Sequence, residues 1–359
     1  MRAAQWGMAS ALHLDAVAYN HPVSTVTVVA PVRICDCGGW TDTWFASRGA
    51  VLHIAIWPGV TVHASATPGD ETTNVRLASY DETYAFTTSQ PPGRHRIIEA
   101  AVAEYPLRGS TLTLDVSSDM PPGASTGTSA AVAVAVIAAL KALDGQPATA
   151  GDLAGAAHRL ETERLGLQSG VQDQIAAAHG GVNFIEIVDY PSAVVTPVPI
   201  SDDLRRRLDQ RLAVVYLGRA HLSSRVHETV IAGLADGSEP RRALDALERA
   251  AFEARDALVA GDLGRFGLAL RHNVEAQAEL HPSVVSDSAK IVGELADDAR
   301  ALGWKVNGAG GDGGSVAILF GEDVIDARAA FATRLARAHP VARLIPVRLA
   351  DRGAAASLI

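Results

Sequence analysis

Small and hydroxyl side chains lead directly into an uncharged apolar segment at residues 121–140 (PPGASTGTSAAVAVAVIAAL). Pro, Gly, Ser and Thr favour a tight, irregular turn, and the Ser/Thr cluster can cap a helix that begins near Thr128 or Ser129. Such a helix start has unpaired backbone N–H groups and a partial positive charge, which suit a phosphate. The helix has no polar face, so we expect it to be buried. The segment predicts a nucleotide-phosphate site, with an ordinary capped core helix as the alternative.

Two acidic residues further along the chain, Glu161 and Asp173, could serve this site. Glu161 lies on a predicted helix. Asp173 lies at the start of another predicted helix, after a glycine-containing loop, where the helix dipole favours its negative charge. Proteins hold Mg²⁺ with ATP through one or two oxygen ligands, so a serine of the turn and one carboxylate would suffice. Two alternatives stay open: Asp173 as a plain helix cap, and Glu163 as the functional acid.

A third polar segment covers residues 30–43 (APVRICDCGGWTDT). An Arg ends a predicted strand, two glycines break it, and Trp, Thr and Asp follow. Recognition of a polyol needs carboxylates and hydroxyls for its OH groups and an aromatic face for its ring, which this segment offers. The alternative is a polar loop in which Asp42 forms an Asx turn.

Glycines dominate residues 308–314 (GAGGDGG), between two predicted strands. The G-x-G-x-x-G spacing is present, but a strand follows it rather than the helix of a dinucleotide-binding unit. A close approach of two backbones explains the glycines better, and it could admit a substrate or phosphate. A tight hairpin is the alternative.

The remaining sequence mixes strands and helices without strict alternation, which predicts an α+β fold. Alternating patterns predict strands at 24–30, 51–56, 60–66, 110–116 and 342–349, and helical spacing predicts helices at 96–105, 150–165 and 239–271. Residues 191–203 are the best candidate for a domain junction.

Length and composition limit the functions that the chain can have. Its 359 residues favour two domains or two lobes around a cleft. The net charge of −9 argues against nucleic acid or an anionic membrane as a main partner. Cys35 and Cys37 are too close for an unstrained disulfide, a pattern that fits a reducing cytoplasm. We expect neither a signal peptide nor a membrane span.

Taken together, the segments at 30–43, 121–131 and 308–314 resemble, in the same order, the motifs of the GHMP kinase superfamily. Within it, GGWTDT and SGVQDQIAAAHGGVNFIE are similar to the fucokinase and heptose-7-phosphate kinase branch. The resemblance implies an α+β fold of two lobes with the active site between them. The first lobe would be like domain 2 of ribosomal protein S5, and the second would be ferredoxin-like. The expected boundaries are an extension at 1–24 and domains at 25–195 and 196–359.

Position by position, the resemblance implies a role for each site residue. Asp173 would be the catalytic base, and Arg33 would stabilise the reacting phosphate or Asp173. Ser129 and Glu161 would hold Mg²⁺. The residues expected to bind ATP are Pro122, Gly123, Ser125, Thr126, Gly127, Thr128 and Ser129. The residues expected to bind the acceptor are Gly39, Trp40, Thr41, Asp42, Gly310, Gly311 and Asp312.

The activity that the resemblance implies is transfer of the γ-phosphate of ATP, with Mg²⁺, to a hydroxyl of a small sugar-like molecule. The acceptor hydroxyl would be the anomeric one of a sugar or sugar phosphate, such as a heptose 7-phosphate or fucose, and the protein would be a cytoplasmic monomer or homodimer. Two alternatives stay open: a kinase of a cyclitol phosphate, and a non-catalytic sensor that binds sugar and nucleotide. Asp312 would repel a phosphate, so it either meets an acceptor hydroxyl or points outward.

Overall fold

The computed structural model describes residues 24–146, 148–219, 226, 228, 230–232, 240–322 and 324–358. The expected N-terminal extension lies outside these residues, apart from Ser24, which begins the first strand.

One large sheet forms the core of the first lobe. Its strands are β1 (Ser24–Cys37), β2 (Gly49–Pro68), β3 (Thr72–Leu77), β4 (Glu82–Thr87), β5 (Ser110–Ser118), β6 (Val182–Asp189) and β7 (Ser192–Pro197). β1, β2, β5, β3 and β4 are neighbours in that order, and β6 pairs with β2 and β7. The helices of this part are α1 (Arg96–Glu104), α2 (Thr128–Leu143), α3 (Ala150–Arg159) and α4 (Gln172–His179).

Helix α2 lies in the centre of this lobe. It packs against β1, β2 and α4, and almost every residue from Ala130 to Leu143 is buried. The prediction of a buried helix without a polar face is therefore confirmed. Because the helix is surrounded by protein, its N-terminal end is held in a fixed place beside the end of β1.

A second, four-stranded antiparallel sheet forms the other lobe. Its strands are β8 (Leu212–Tyr216), β9 (Gly303–Val306), β10 (Ser315–Leu319) and β11 (Arg343–Ile345), in the order β11-β8-β10-β9. Its helices include α5 (Asp202–Arg211), α6 (Pro240–Val259), α7 (Leu263–Leu280), α8 (Asp287–Asp298) and α9 (Val324–Ala338). The α+β prediction with two lobes is confirmed.

The end of the chain returns to the first sheet. The prediction of one strand at 342–349 is wrong, because β11 ends at Ile345 and Pro346, which has no backbone N–H, follows it. The next strand, β12 (Arg348–Leu349), pairs with β2, and β13 (Ala355–Leu358) pairs with β1. The domain boundary at 195/196 stays a prediction. Two strands from the C-terminal side of that boundary, β12 and β13, belong to the first sheet.

Three further elements differ from their predicted extents. The helix predicted at 239–271 is two helices, α6 and α7, which are separated at residues 260–262. The predicted strands at 51–56 and 60–66 are one continuous strand, β2. The helix predicted at 150–165 is α-helical only to Arg159 and continues as one π-helical turn, Leu160–Arg164. Such turns often occur at functional sites, and this one holds Glu161.

Candidate active site

A cleft of about 650 Å³ runs along the first lobe and reaches the glycine-rich turn of the second. The end of β1, the start of α2, the π-helical turn and the start of α4 all border it. The residues that line it include Arg33, Trp40, Asp42, Ser125, Gly127, Ser129, Glu161, Asp173 and Gly308.

The turn before α2 leaves the first amides of the helix open. α2 begins at Thr128 as predicted, but the prediction of a Ser or Thr cap is wrong. Gly127 is the N-cap, with φ of 76°, and no side chain caps the helix. The first hydrogen bond of the helix runs from Ala131 N to Gly127 O, so the amides before Ala131 have no partner within the helix. A glycine at this position leaves space in front of the amides, where an anion is favoured.

Ser125, in the turn before α2, combines an unusual backbone conformation with an unpaired hydroxyl. It has φ of 56°, unusual for a residue with a side chain. Its buried Oγ has no hydrogen-bond partner among the described residues. Strain of this kind and an unpaired buried hydroxyl are costly, and both are expected where a ligand completes the site.

Arg33 and Asp173 form an ion pair at this turn. Arg33 Nε donates to Asp173 Oδ1 at 2.8 Å, and Arg33 Nη1 donates to the carbonyl of Ser125 at 2.5 Å. Burial alone would lower the pKa of Arg33, but the charges of Asp173 and Asp36 raise it above its ordinary value. The side chain of Asp173 keeps 28% of its surface exposed, against 4% for Arg33. The carboxylate of Asp173 is therefore accessible from the cleft, whereas the guanidinium that it pairs with is buried beneath it.

Asp173 also lies directly against the start of α2. It is the second residue of α4, and a Cβ added to Gly127 would lie 3.0 Å from its carboxyl carbon. A phosphate at the α2 amides would therefore be next to this carboxylate. Two segments 46 residues apart in sequence, from Gly127 to Asp173, are thus brought into contact.

Glu161 has one oxygen fixed and one free. Its Oε2 accepts hydrogen bonds from Ser169 Oγ (2.8 Å) and Gln174 Nε2 (2.5 Å), while Oε1 is buried without a partner among the described residues. Burial raises the pKa of Glu161 to about 7. A cation would relieve both the unpaired oxygen and the cost of the buried charge.

These residues fit a magnesium site that depends on the nucleotide. Ser129 is exposed and lines the cleft together with Glu161. Within the described part of the chain, no group of three His, Cys, Asp or Glu side chains could hold a metal ion. Mg²⁺ usually takes one or two protein oxygens and completes its shell with phosphates and water. Glu163, the alternative acid, is exposed and does not line the cleft.

Asp42 holds the loop before α4 rather than its own turn. Its Oδ2 accepts from the backbone N–H groups of Val171 (2.9 Å) and Gln172 (3.1 Å). Burial raises the pKa of Asp42 to about 6. Trp40 borders the cleft beside it, whereas Thr41 does not, because its hydroxyl donates within the turn to the carbonyl of Gly38. Gly39 also lies outside the cleft lining.

Only the first part of the glycine-rich turn reaches the cleft. Gly308 and Ala309 line it, whereas Gly310 packs on Val284, whose carbonyl oxygen would lie 2.1 Å from an added Cβ. Gly311 N bonds to the same carbonyl. Asp312 is exposed and pairs with Arg219 at 3.2 Å. Of the two expectations for Asp312, the outward orientation is the one observed.

Sequence reasoning missed a buried polar group behind Arg33. Asp36 pairs with Lys305 of β9 at 2.6 Å, and both side chains are fully buried. Cys35 and Cys37, on either side of Asp36, are buried free thiols, and burial raises the pKa of Cys37 to about 12. The sequence signal was an aspartate placed between two cysteines shortly before the Gly38-Gly39 break.

No helix in the described ranges combines the length and the apolar character that crossing a membrane requires.

Residues 95–181 match the family model described as the GHMP kinases N terminal domain. This segment contains α2, Glu161 and Asp173. The D-glycero-alpha-D-manno-heptose 7-phosphate kinase of Campylobacter jejuni is 27% identical over 217 residues, which are 60% of this chain and 64% of that protein. The bifunctional fucokinase/GDP-fucose pyrophosphorylase of Arabidopsis thaliana is 27% identical over 80% of this chain and 29% of its own length. The matches thus span less than two thirds of either relative.

The fold also matches a solved structure over nearly its whole length. The D-glycero-D-manno-heptose 1-phosphate kinase of Bacteroides thetaiotaomicron superposes with a TM-score of 0.72 at 20% identity, covering 93% of this chain and 99% of that one. At this identity the likeness shows the fold. The segment that borders the cleft, residues 95–181, thus matches the GHMP kinases N terminal domain, which confirms the resemblance seen in the sequence motifs.

Proposed function

We propose that this protein is an ATP-dependent kinase that transfers the γ-phosphate to a hydroxyl of a sugar or sugar phosphate. The observation that carries the proposal is the position of Asp173, which contacts the open start of α2 and pairs with Arg33. A phosphate site with a carboxylate and a buried guanidinium beside it has the parts that phosphoryl transfer needs.

ATP would bind with its phosphates at the start of α2 and its nucleoside along the rest of the cleft. The unpaired amides and the helix dipole favour the phosphates. The cleft lining also includes apolar and aromatic side chains, among them Leu77, Tyr80, Ile98 and Met120. A volume of about 650 Å³ lies in the range of sites that enclose a ligand of this size.

Mg²⁺ would be held by Glu161 and Ser129 together with phosphate oxygens. When bound, it would neutralise charge on the β- and γ-phosphates. The free Oε1 of Glu161 supports this role.

The transfer step would use Asp173 and Arg33. The acceptor hydroxyl gives its proton to Asp173, its oxygen bonds to the γ-phosphorus, and the bond from that phosphorus to the β–γ bridging oxygen breaks to release ADP. Arg33 steadies the charge of the moving phosphoryl group and, through Nε, the orientation of Asp173. Because the transition state of phosphoryl transfer is loose, we expect positioning to contribute more than basicity.

Asp42, Trp40 and Thr43 would bind the acceptor, since all three line the same cleft as Asp173. A carboxylate, an aromatic ring and a hydroxyl suit a polyol. The relatives named as heptose 7-phosphate kinase and fucokinase support a heptose 7-phosphate or fucose, phosphorylated at the anomeric hydroxyl.

The test is an ADP-release assay with Mg·ATP and a panel of hexoses, fucose, heptose 7-phosphates and cyclitol phosphates. NMR of each product identifies the phosphorylated hydroxyl, and Asp173→Asn, prepared in parallel, controls for contaminating kinases. We expect turnover with a sugar or sugar phosphate. Turnover only with a cyclitol phosphate would keep the reaction and change the acceptor. Binding of nucleotide and sugar without ADP release would instead support a sensor.

A further inference from the structure

A fully buried ion pair joins the two lobes immediately behind the candidate active site. Lys305 Nζ of β9 donates to Asp36 Oδ1 of β1 at 2.6 Å, and neither side chain has any exposed surface. Lys305 Nζ also donates to the carbonyl of Val306 at 2.5 Å. Removing two charges from water costs several kcal/mol per ion, and apolar residues of the same volume often stabilise a fold equally well. The pair therefore calls for a role beyond stability.

The second oxygen of Asp36 connects this pair to the cleft. Oδ2 accepts from the backbone N–H of Gly308 at 2.9 Å and lies 4.0 Å from Arg33 Nη2. A Cβ on Gly308 would lie 3.2 Å from Arg33 Nη2 and 2.9 Å from the carbonyl oxygen of Ser125. Asp36 thus holds the first residue of the glycine-rich turn directly against the guanidinium.

All three nitrogens of the Arg33 guanidinium consequently face an oxygen. Nε donates to Asp173, Nη1 donates to the carbonyl of Ser125, and Nη2 faces Asp36. Two hydrogen bonds and one ion-pair contact of 4.0 Å therefore restrict the orientation of the planar guanidinium. Asp36 provides the contact on Nη2.

Lys305 keeps Asp36 from competing with the reaction for Arg33. A buried carboxylate without Lys305 would have Arg33 as its nearest cation and would draw the guanidinium towards itself. With Lys305 bound to Oδ1, the charge of Asp36 is already matched. Burial alone would raise the pKa of Asp36, but Lys305 and Arg33 hold it below its ordinary value, so the carboxylate is ionised.

We propose that Asp36 and Lys305 are positioning residues for phosphoryl transfer. Lys305 neutralises Asp36, and Asp36 fixes the Arg33 guanidinium and the Gly308 amide at the cleft, so that the charge of Arg33 acts on the transferred phosphoryl group. This inference rests on the proposed function, in which Arg33 stabilises that group.

The test compares Lys305→Met with the double variant Asp36→Asn/Lys305→Met. The single variant leaves a buried negative charge beside Arg33, whereas the double variant removes both charges and keeps the shapes. We expect kcat to fall about 100-fold in the single variant and about 10-fold in the double variant, with KM for ATP and acceptor within about threefold of wild type. The exposed pair Lys290–Asp287 gives the matched control Asp287→Asn/Lys290→Met, for which we expect wild-type kcat.

The order of the two variants separates positioning from stability. All proteins are assayed at a temperature at which circular dichroism shows them folded. Wild-type kcat in either variant would overturn the proposal, and so would equal losses in both. If Lys305→Met does not fold, Lys305→Arg replaces it. It keeps the positive charge, so we expect folding and a kcat within about 10-fold of wild type; a larger loss would overturn the proposal.

A binding measurement keeps this inference separable from the proposed function. MgADP with aluminium fluoride mimics the phosphoryl group in transfer, and calorimetry measures its affinity without turnover. We expect Lys305→Met to weaken this complex about 10-fold or more while MgADP alone binds as in wild type. Wild-type protein that releases no ADP with any acceptor would sink the proposed function. Unchanged affinity for the fluoride complex would sink the positioning role.

Discussion

Asp173 is the residue on which the proposed chemistry depends most directly. Asp173→Asn keeps the size of the side chain and an oxygen for Arg33 Nε but cannot accept the acceptor proton. We expect kcat to fall by about 10²–10⁴, with the Kd for a nucleotide analogue within about threefold of wild type. Steady-state kinetics and calorimetry measure the two quantities. Asp298→Asn, which removes an exposed carboxylate paired with Arg334, is the control. Near-normal turnover of Asp173→Asn would remove Asp173 from the catalytic role.

Glu161 and Glu163 form a natural pair for testing the metal site. Glu161 is buried with Oε1 unpaired, whereas Glu163, two residues away, is exposed. Glu161→Gln lowers the negative charge that a cation would meet, so we expect the Mg²⁺ concentration for half-maximal rate to rise about 10-fold. Glu163→Gln should leave the Mg²⁺ titration unchanged. The reverse result would assign the metal to Glu163, and no change in either variant would contradict both assignments.

Asp42 should make the stability of the protein depend on pH. Its folded-state pKa of about 6 lies above the value of about 3.9 in an unfolded chain, because burial disfavours the charged form. The folded state thus binds the proton more tightly than the unfolded chain does. The stability that this protonation adds is fully present below pH ~4 and is lost as the pH rises through ~6. The loss is roughly 3 kcal/mol.

Asp42→Asn should remove this contribution, since its amide oxygen can still accept from the backbone of Val171 and Gln172 but does not ionise. We expect the variant to be the more stable protein at pH 7 and the difference to shrink towards pH 4. Urea unfolding at a series of pH values measures both curves. Parallel curves would show that Asp42 does not titrate in this range.

At the scale of the element, the start of α2 depends on glycine for two reasons. Gly127 has φ of 76°, and an added Cβ would lie 3.0 Å from the carboxyl carbon of Asp173. Gly166 has φ of 64° with nothing within 4 Å of an added Cβ. Alanine at either position incurs the cost of a left-handed backbone, about 1–2 kcal/mol, but only at Gly127 does it also press on Asp173.

We therefore expect both Gly127→Ala and Gly166→Ala to lower the free energy of unfolding, and Gly127→Ala to lower it more. The two variants should differ most in nucleotide affinity. Gly127→Ala, which changes the cleft lining, should weaken nucleotide binding about 10-fold, and Gly166→Ala should leave it unchanged. Thermal unfolding and calorimetry provide the two measurements. Equal nucleotide affinity in both variants would mean that the phosphates bind away from the start of α2.

Elements with a strong local pattern could be predicted from the sequence. α2 follows from an uncharged run of small and apolar residues, and β5 follows from strict alternation. The Gly127 cap did not, because several nearby Ser and Thr residues compete for that position and only the tertiary contact with Asp173 excludes a side chain there. Residues 342–349 also look like one strand locally, and the partner sheets decide the division at Pro346.

For the molecule as a whole, the sequence motifs predicted which residues belong to the site but not which of them contact each other. Arg33 and Asp173 are 140 positions apart, and Lys305 and Asp36 are 269 apart. Only the family resemblance could assign the first pair before the structure. The second pair needed the fold, because a lysine within a short strand usually points to solvent, whereas Lys305 is fully buried.

Because the cleft draws on both lobes, nucleotide binding should stabilise the molecule as a unit. A ligand at 100 times its Kd adds about 2.7 kcal/mol to the free energy of unfolding. We expect a non-hydrolysable ATP analogue with Mg²⁺ to raise Tm in one transition. Amide exchange should slow at the start of α2 and also at Gly308, which borders the cleft from the second lobe and bonds to Asp36. Protection confined to the first lobe would show that the glycine-rich turn takes no part in nucleotide binding, and an unchanged Tm would show that the cleft does not bind ATP.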